Sequence, residues 1–199
     1  MRLLHAPASP FSAKVRMAAI RCDVAFDEQV VVDTVSEPAD LLDANPLGKI
    51  PTVLLDDGTA LYDSRVICEY FDRISGNAIV PQTDAEWIAD RRLEATADGV
   101  ADAAILLLYE ARFRPEEKRH EAWTDRQWRK ALRGLAVLET LIGEVSRKPT
   151  LGDLSVAALT GWLALRFAGR WEAEHPRLAR WNEEFWAAHP DLDAVKSRV

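Results

Sequence analysis

A chain of 199 residues, 48% of them hydrophobic, is long enough to bury the core of one large domain or two small ones. Its 25 Lys and Arg against 32 Asp and Glu leave a formal charge of −7, which argues against nucleic acid as a partner, because phosphate binding rests on clustered cations. No apolar stretch approaches the roughly 20 residues that cross a bilayer. The first residues hold no signal-peptide core, so no membrane partner is expected and the default location is cytoplasmic.

In chain order, a short apolar strand, Arg2 to His5, leads into Ser9-Pro10-Phe11-Ser12 and a helical run from Pro10 to Arg21. This places hydroxyls at a helix start, where N–H groups without intrahelical partners and the positive end of the helix dipole favour an anion. A thiolate is such an anion, and a serine hydroxyl can add one hydrogen bond to it. The sulfur would be one the protein does not itself carry, because Cys22 and Cys68 fall inside apolar patterns far apart in sequence and read as buried thiols.

A second strand (Ala25 to Val32) and an irregular helix (Glu37 to Asp43) follow, then Asn45-Pro46-Leu47-Gly48-Lys49-Ile50-Pro51 ahead of a third strand. Pro51 stands either at a cis bond, which would offer the Ile50 N–H and C=O to a ligand at the Ser9 helix start, or as a trans proline that begins a strand. Strands Thr52 to Leu55 and Ala60 to Leu61 flank Asp56-Asp57-Gly58, and Asp-Gly is a strong hairpin signal. Asp63-Ser64 opens a helix to Ile74. Either residue can cap that helix, and together they can hold a ligand's ammonium and carboxylate; the two readings are compatible.

Gly76-Asn77 reads as a C-cap and Ile79-Val80-Pro81 as a linker with an apolar anchor, which divides the chain at residues 1–76 and 85–199. Beyond it only helical periodicity appears: Leu93, Ala97, Val100, Ala104 and Leu107, then helices Asp125 to Val145, Asp153 to Ala168 and Arg177 to Ala188. Thr150 and Asp153 have capping-box spacing. The mixed charges from Glu110 to Arg133 read as a solvated helical face. His5, His120, His175 and His189 form no ligand cluster, three of them lie in charged surroundings typical of surface helices, and no metal is expected.

Taken together, Ser9-Pro10-Phe11-Ser12, Gly48-Lys49-Ile50-Pro51, Asp63-Ser64 and the Thr150 to Asp153 box, in this order on a β-α-β-α-β-β-α unit followed by helices, resemble a cytosolic glutathione transferase. The resemblance covers the whole chain and is to serine-type bacterial members akin to the theta and zeta classes. It implies an α/β plus all-α protein, with a thioredoxin-like N-terminal domain that binds glutathione and an all-helical C-terminal domain that shapes the site for a small electrophile. Carried over, Ser9 would donate to the glutathione sulfur, with Ser12 as a second candidate, and Ile50, beside cis Pro51, would pair the cysteinyl backbone. Lys49 would meet the glycyl carboxylate, and Asp63 with Ser64 the γ-glutamyl end. No tyrosine precedes the first helix, and neither serine of the motif is the cysteine of mixed-disulfide relatives.

The resemblance also implies a homodimer in which Asp98 or Asp102 reaches the partner's glutathione, and an electrophile pocket lined by Leu106, Tyr109, Trp162 or Phe167. Conjugation is the expected activity. Glutathione-dependent reduction of disulfides or peroxides, and a non-catalytic binding module, are the alternatives.

Overall fold

The computed structural model describes residues 1–198. The N-terminal elements are β1 (Arg2–His5), α1 (Pro10–Arg21), β2 (Glu28–Val31), α2 (Ala39–Ala44), β3 (Thr52–Leu54), β4 (Ala60–Leu61) and α3 (Ser64–Ile74). The sheet runs β2-β1-β3-β4, with β1 parallel to β2 and antiparallel to β3. A parallel pair needs a crossover, and α1 supplies it. Side chains alternate across β1: Leu3 enters the large core with Val53 and Phe71, while Leu4 packs on the other face against Val32 and Leu41.

β2 is shorter than the expected Ala25 to Val32, because Arg2 of β1 stands opposite Glu28 and residues 25–27 lie beyond the end of that strand. The Phe26 ring instead meets Phe71 at 5.8 Å. The Asp-Gly hairpin forms between β3 and β4, with Gly58 at φ 86°.

Among the described residues four α-helices, α4 (Asp84–Phe113), α5 (Glu121–Leu141), α6 (Leu151–Arg166) and α7 (Pro176–Ala188), and two short 3-10 helices make the second part. An α/β layer is thus followed by an all-helical one, and their shared core runs through Ala97, Val100, Ala104, Leu135, Leu154 and Trp162. α6 lies against both α1 and α4. Its start is held by a complete capping box, the Asp153 N–H on Thr150 Oγ1 at 3.3 Å and the Thr150 N–H on Asp153 Oδ2 at 3.0 Å. Gly152 lets that start touch α4: its N–H donates to Asp90 Oδ1 at 2.7 Å, and a Cβ there would lie 2.5 Å from the same oxygen.

Two expectations are corrected. α5 begins at Glu121, not Asp125, because the His120 side chain caps it by accepting from the Trp123 N–H at 3.2 Å. His5, His175 and His189 are buried and only His120 is exposed. His175 and His189 flank α7, each just before a proline, with charged neighbours turned outward; the His189 ring packs on Phe185 at 4.6 Å.

Candidate active site

Ser9 is the N-cap of α1, in extended conformation, and its Oγ accepts from the Ser12 N–H at 3.2 Å. A proline follows at the first helical position, where its missing N–H costs nothing. Ser9 lines a cavity of about 730 Å³ between the sheet domain and the helices. Ser12 does not line it: it is buried one turn inside α1, and its hydroxyl accepts from the Ala6 N–H at 3.3 Å.

The Ile50–Pro51 peptide is cis. Lys49 and Ile50 lie in the cavity wall, and the Ile50 backbone precedes the first β1–β3 pair, Leu4 with Thr52, so it takes no part in the ladder. Asn45, overlooked in the sequence except as the start of the motif, holds this turn. It is buried, donates to the Lys49 carbonyl at 3.0 Å and to Thr52 Oγ1 at 3.2 Å, and accepts from the Leu47 N–H at 3.1 Å. Gly48 takes φ 61°, a conformation open to glycine at little cost.

At α3, Asp63 is the N-cap and accepts from the Arg65 N–H at 3.0 Å, while Ser64 is buried at the first helical position. Pro51, Asp63 and Ser64 do not form part of the cavity wall, whereas Lys49, Ile50 and Ser9 do. Leu106, Tyr109 and Trp162 line it; Phe167 does not, because its ring stacks on Trp128 at 5.2 Å.

Asp98 is committed to contacts within the chain. It is buried and bound within its own chain to Lys14 Nζ at 2.8 Å and to Arg65 Nε at 2.8 Å. Asp102 is the carboxylate that lines the cavity. Burial and the charge of Asp98 push its pKa up, against Arg65 and Lys49, which pull it down. The sequence also gave no sign of Arg112 and Arg166 as cavity residues; a solvated-face reading of a mixed charge run hides the first of them.

Neither cysteine is a nucleophile. Both are buried, and burial raises both thiol pKa values. Burial, and secondarily Arg16, lowers His5 from 6.5 to about 4, so its imidazole is neutral near pH 7. Among the described residues no cluster of three or more His, Cys, Asp or Glu is placed to hold a metal, and no helix is long and apolar enough to cross a membrane. What the arrangement offers is a helix start and a hydroxyl for an anion, the unpaired backbone of Ile50 for a peptide, and an apolar wall opposite both.

The comparisons with known proteins agree with this geometry. Residues 8–74 match the model of the glutathione S-transferase N-terminal domain and residues 121–183 that of the C-terminal domain. The glutathione S-transferase of Methylobacterium radiotolerans, solved in complex with glutathione sulfonate, is 33% identical over 100% of this chain and 95% of its own, with a TM-score of 0.90. A glutathione transferase family member from Pseudomonas fluorescens Pf-5, solved with bound glutathione, is 37% identical over 100% of this chain and 99% of its own, with a TM-score of 0.88. The uncharacterised GST-like protein YibF of Escherichia coli is 28% identical over 94% of both chains. With two family models in order along it and full-length relatives above 30% identity, this chain belongs to the glutathione S-transferase family.

Proposed function

We propose that this protein is a serine-type glutathione transferase, which binds glutathione, ionises its thiol and directs the thiolate at a small electrophile. One observation carries the reading: the Ser9 hydroxyl at the α1 start and the unpaired Ile50 backbone face the same cavity. A tripeptide paired along Ile50 as an added strand would bring its central sulfur to Ser9. The relatives solved with glutathione or its sulfonate support the ligand.

A free thiol of pKa about 8.5 is only a few per cent ionised at neutral pH, and about 2 kcal/mol of thiolate stabilisation brings it to about half ionised. The Ser9 O–H and the α1 N–H groups supply it; Ser9 donates and is not the nucleophile. Ser12, sealed inside α1, holds the loop through Ala6. Lys49 takes the glycyl carboxylate, the cis turn at Pro51 presents Ile50, and Asp63 with Ser64 takes the γ-glutamyl end. Two such chains would pair through α3 and α4 as a homodimer, and the cell compartment is the cytoplasm. Conjugation is favoured over disulfide reduction because the motif carries hydroxyls where a mixed disulfide needs a thiol.

Parallel assays test the reading: conjugation of glutathione to chlorodinitrobenzene, and glutathione-dependent reduction of a small disulfide. Conjugation that exceeds the uncatalysed rate, with reduction at background, is the expected result. Reduction alone would overturn it.

A further inference from the structure

The walls of the cavity differ in charge from end to end. α4 crosses it with Asp102, then Leu106 and Tyr109, then Arg112. Arg112 stands ten helical steps beyond Asp102, about 15 Å at 1.5 Å per residue. Lys49 lies near the Asp102 end, close enough to lower the pKa of that carboxylate. At the other end Arg166, the last residue of α6 and one turn beyond Trp162, joins Arg112 in the wall. Asp102 is the sole carboxylate among the lining residues, so the far wall carries two guanidinium groups, with Asp33 outside the lining at 3.8 Å from Arg112.

These two arginines are exposed and lack a strong ion pair. Among the described residues Arg166 has no salt bridge. Arg112 pairs with Asp33 at 3.8 Å, with both side chains largely exposed, a pairing worth little, and its guanidinium lies 5.5 Å from the centre of the Phe113 ring. The Lys14–Asp98 pair of the sheet–helix junction, at 2.8 Å and almost wholly buried, is both shorter and more enclosed. Two guanidinium groups on facing helices beside an apolar wall are suited to an anion with an apolar spacer, since their planar donors match a carboxylate.

We infer that the second substrate is an electrophile carrying a carboxylate, separated by an apolar spacer from its reacting carbon, and that Arg112 and Arg166 determine this specificity. The inference rests on the transferase reading. With the thiolate at Ser9, the spacer lies against Leu106, Tyr109 and Trp162, and the carboxylate bridges the two arginines in place of Asp33. For an aryl chloride the thiolate sulfur forms a bond to the ring carbon, the ring accepts the electron pair, and the pair leaves with chloride as the C–Cl bond breaks. No other reactant is required.

The test compares chlorodinitrobenzoate, its chlorine para to the carboxylate, with the matching carboxamide. Each kcat/KM is divided by the uncatalysed rate constant of the same probe. The expected result is a preference for the acid of about tenfold, carried mainly by KM, that collapses in Arg112→Gln and in Arg166→Gln and survives in Asp33→Asn. Equal or better use of the amide, or an acid preference that neither arginine variant alters, would overturn this inference and leave the transferase reading standing. Turnover of neither probe would overturn both.

Discussion

Lys14 of α1 and Asp98 of α4 form a buried ion pair where the sheet domain meets the helices, with Nζ 2.9 and 2.8 Å from the two carboxylate oxygens and 3.2 Å from Glu94. Burial opposes the charge on Lys14, yet the two carboxylates prevail and its pKa is raised. Asp98 also accepts from Arg65 at 2.8 Å. The pair therefore ties the helix that begins at Ser9 to the one that begins at Ser64.

Removing the ammonium alone leaves two buried carboxylates with only Arg65 and Arg91 to balance them. Lys14→Met is expected to lower stability by about 3 kcal/mol, measured as a shift in urea midpoint at constant slope. Lys14→Arg should recover most of it. A Lys14→Met protein as stable as the parent would show that the pair contributes nothing net.

Ser9→Ala removes the hydroxyl from the sulfur's place and the cap from α1. The first loss is expected to reduce kcat about 15-fold at pH 7, as the bound thiol goes from about half ionised to a few per cent, with glutathione affinity changed less than about threefold. The second should lower stability by about 1 kcal/mol. Ser64→Ala should do the reverse in kinetics, raising KM for glutathione with kcat nearly kept. Steady-state kinetics with glutathione varied separates the two patterns.

Gly152→Ala is expected to destabilise by about 2 kcal/mol, because the new methyl would lie 2.5 Å from Asp90 Oδ1 and 2.7 Å from the Asp90 carbonyl, and backbone cannot yield as a flexible side chain does. Asp153→Ala, which breaks the capping box without a clash, should cost about 1 kcal/mol. Thermal unfolding of both variants checks the order.

His5 makes stability depend on pH. Its pKa is about 4 folded and 6.5 unfolded, so the unfolded chain binds the proton first. Its contribution is fully present above pH 6.5, declines as pH falls, and is lost through about pH 4. His5→Asn should remove about one proton of uptake on unfolding across this window, seen as a shallower fall of stability with acid. An unchanged slope would mean the imidazole is already charged in the folded protein.

The parts of this protein that were legible in its sequence are those set by local backbone chemistry. Ser9 before Pro10 marks a helix start, Asp57-Gly58 a hairpin, Gly48 through Pro51 a turn, and Thr150 with Asp153 a cap; each signal spans a few residues. Lys14 was not legible. It sits 84 residues from Asp98, and a lysine on an amphipathic helix carries no mark of the partner that lets it be buried. The same holds for Asp98, which the family resemblance offered beside Asp102 for a partner's ligand and which the fold pairs with Lys14 and Arg65. His120 was missed as a cap because its side chain is outside the usual set of capping residues. Arg112 and Arg166 acquire meaning only when α4 and α6 are brought to face one cavity.

The central claim is that the start of α1, with the Ser9 hydroxyl, ionises a bound thiol. It is tested most directly by titrating the thiolate absorbance of glutathione bound to the parent protein and to Ser9→Ala. The account predicts a thiol pKa depressed by about 1.5 units from its free value of about 8.5, corresponding to roughly 2 kcal/mol, and largely restored in the variant. Glutathione bound with an unshifted pKa, or with the same depression in both proteins, would contradict it.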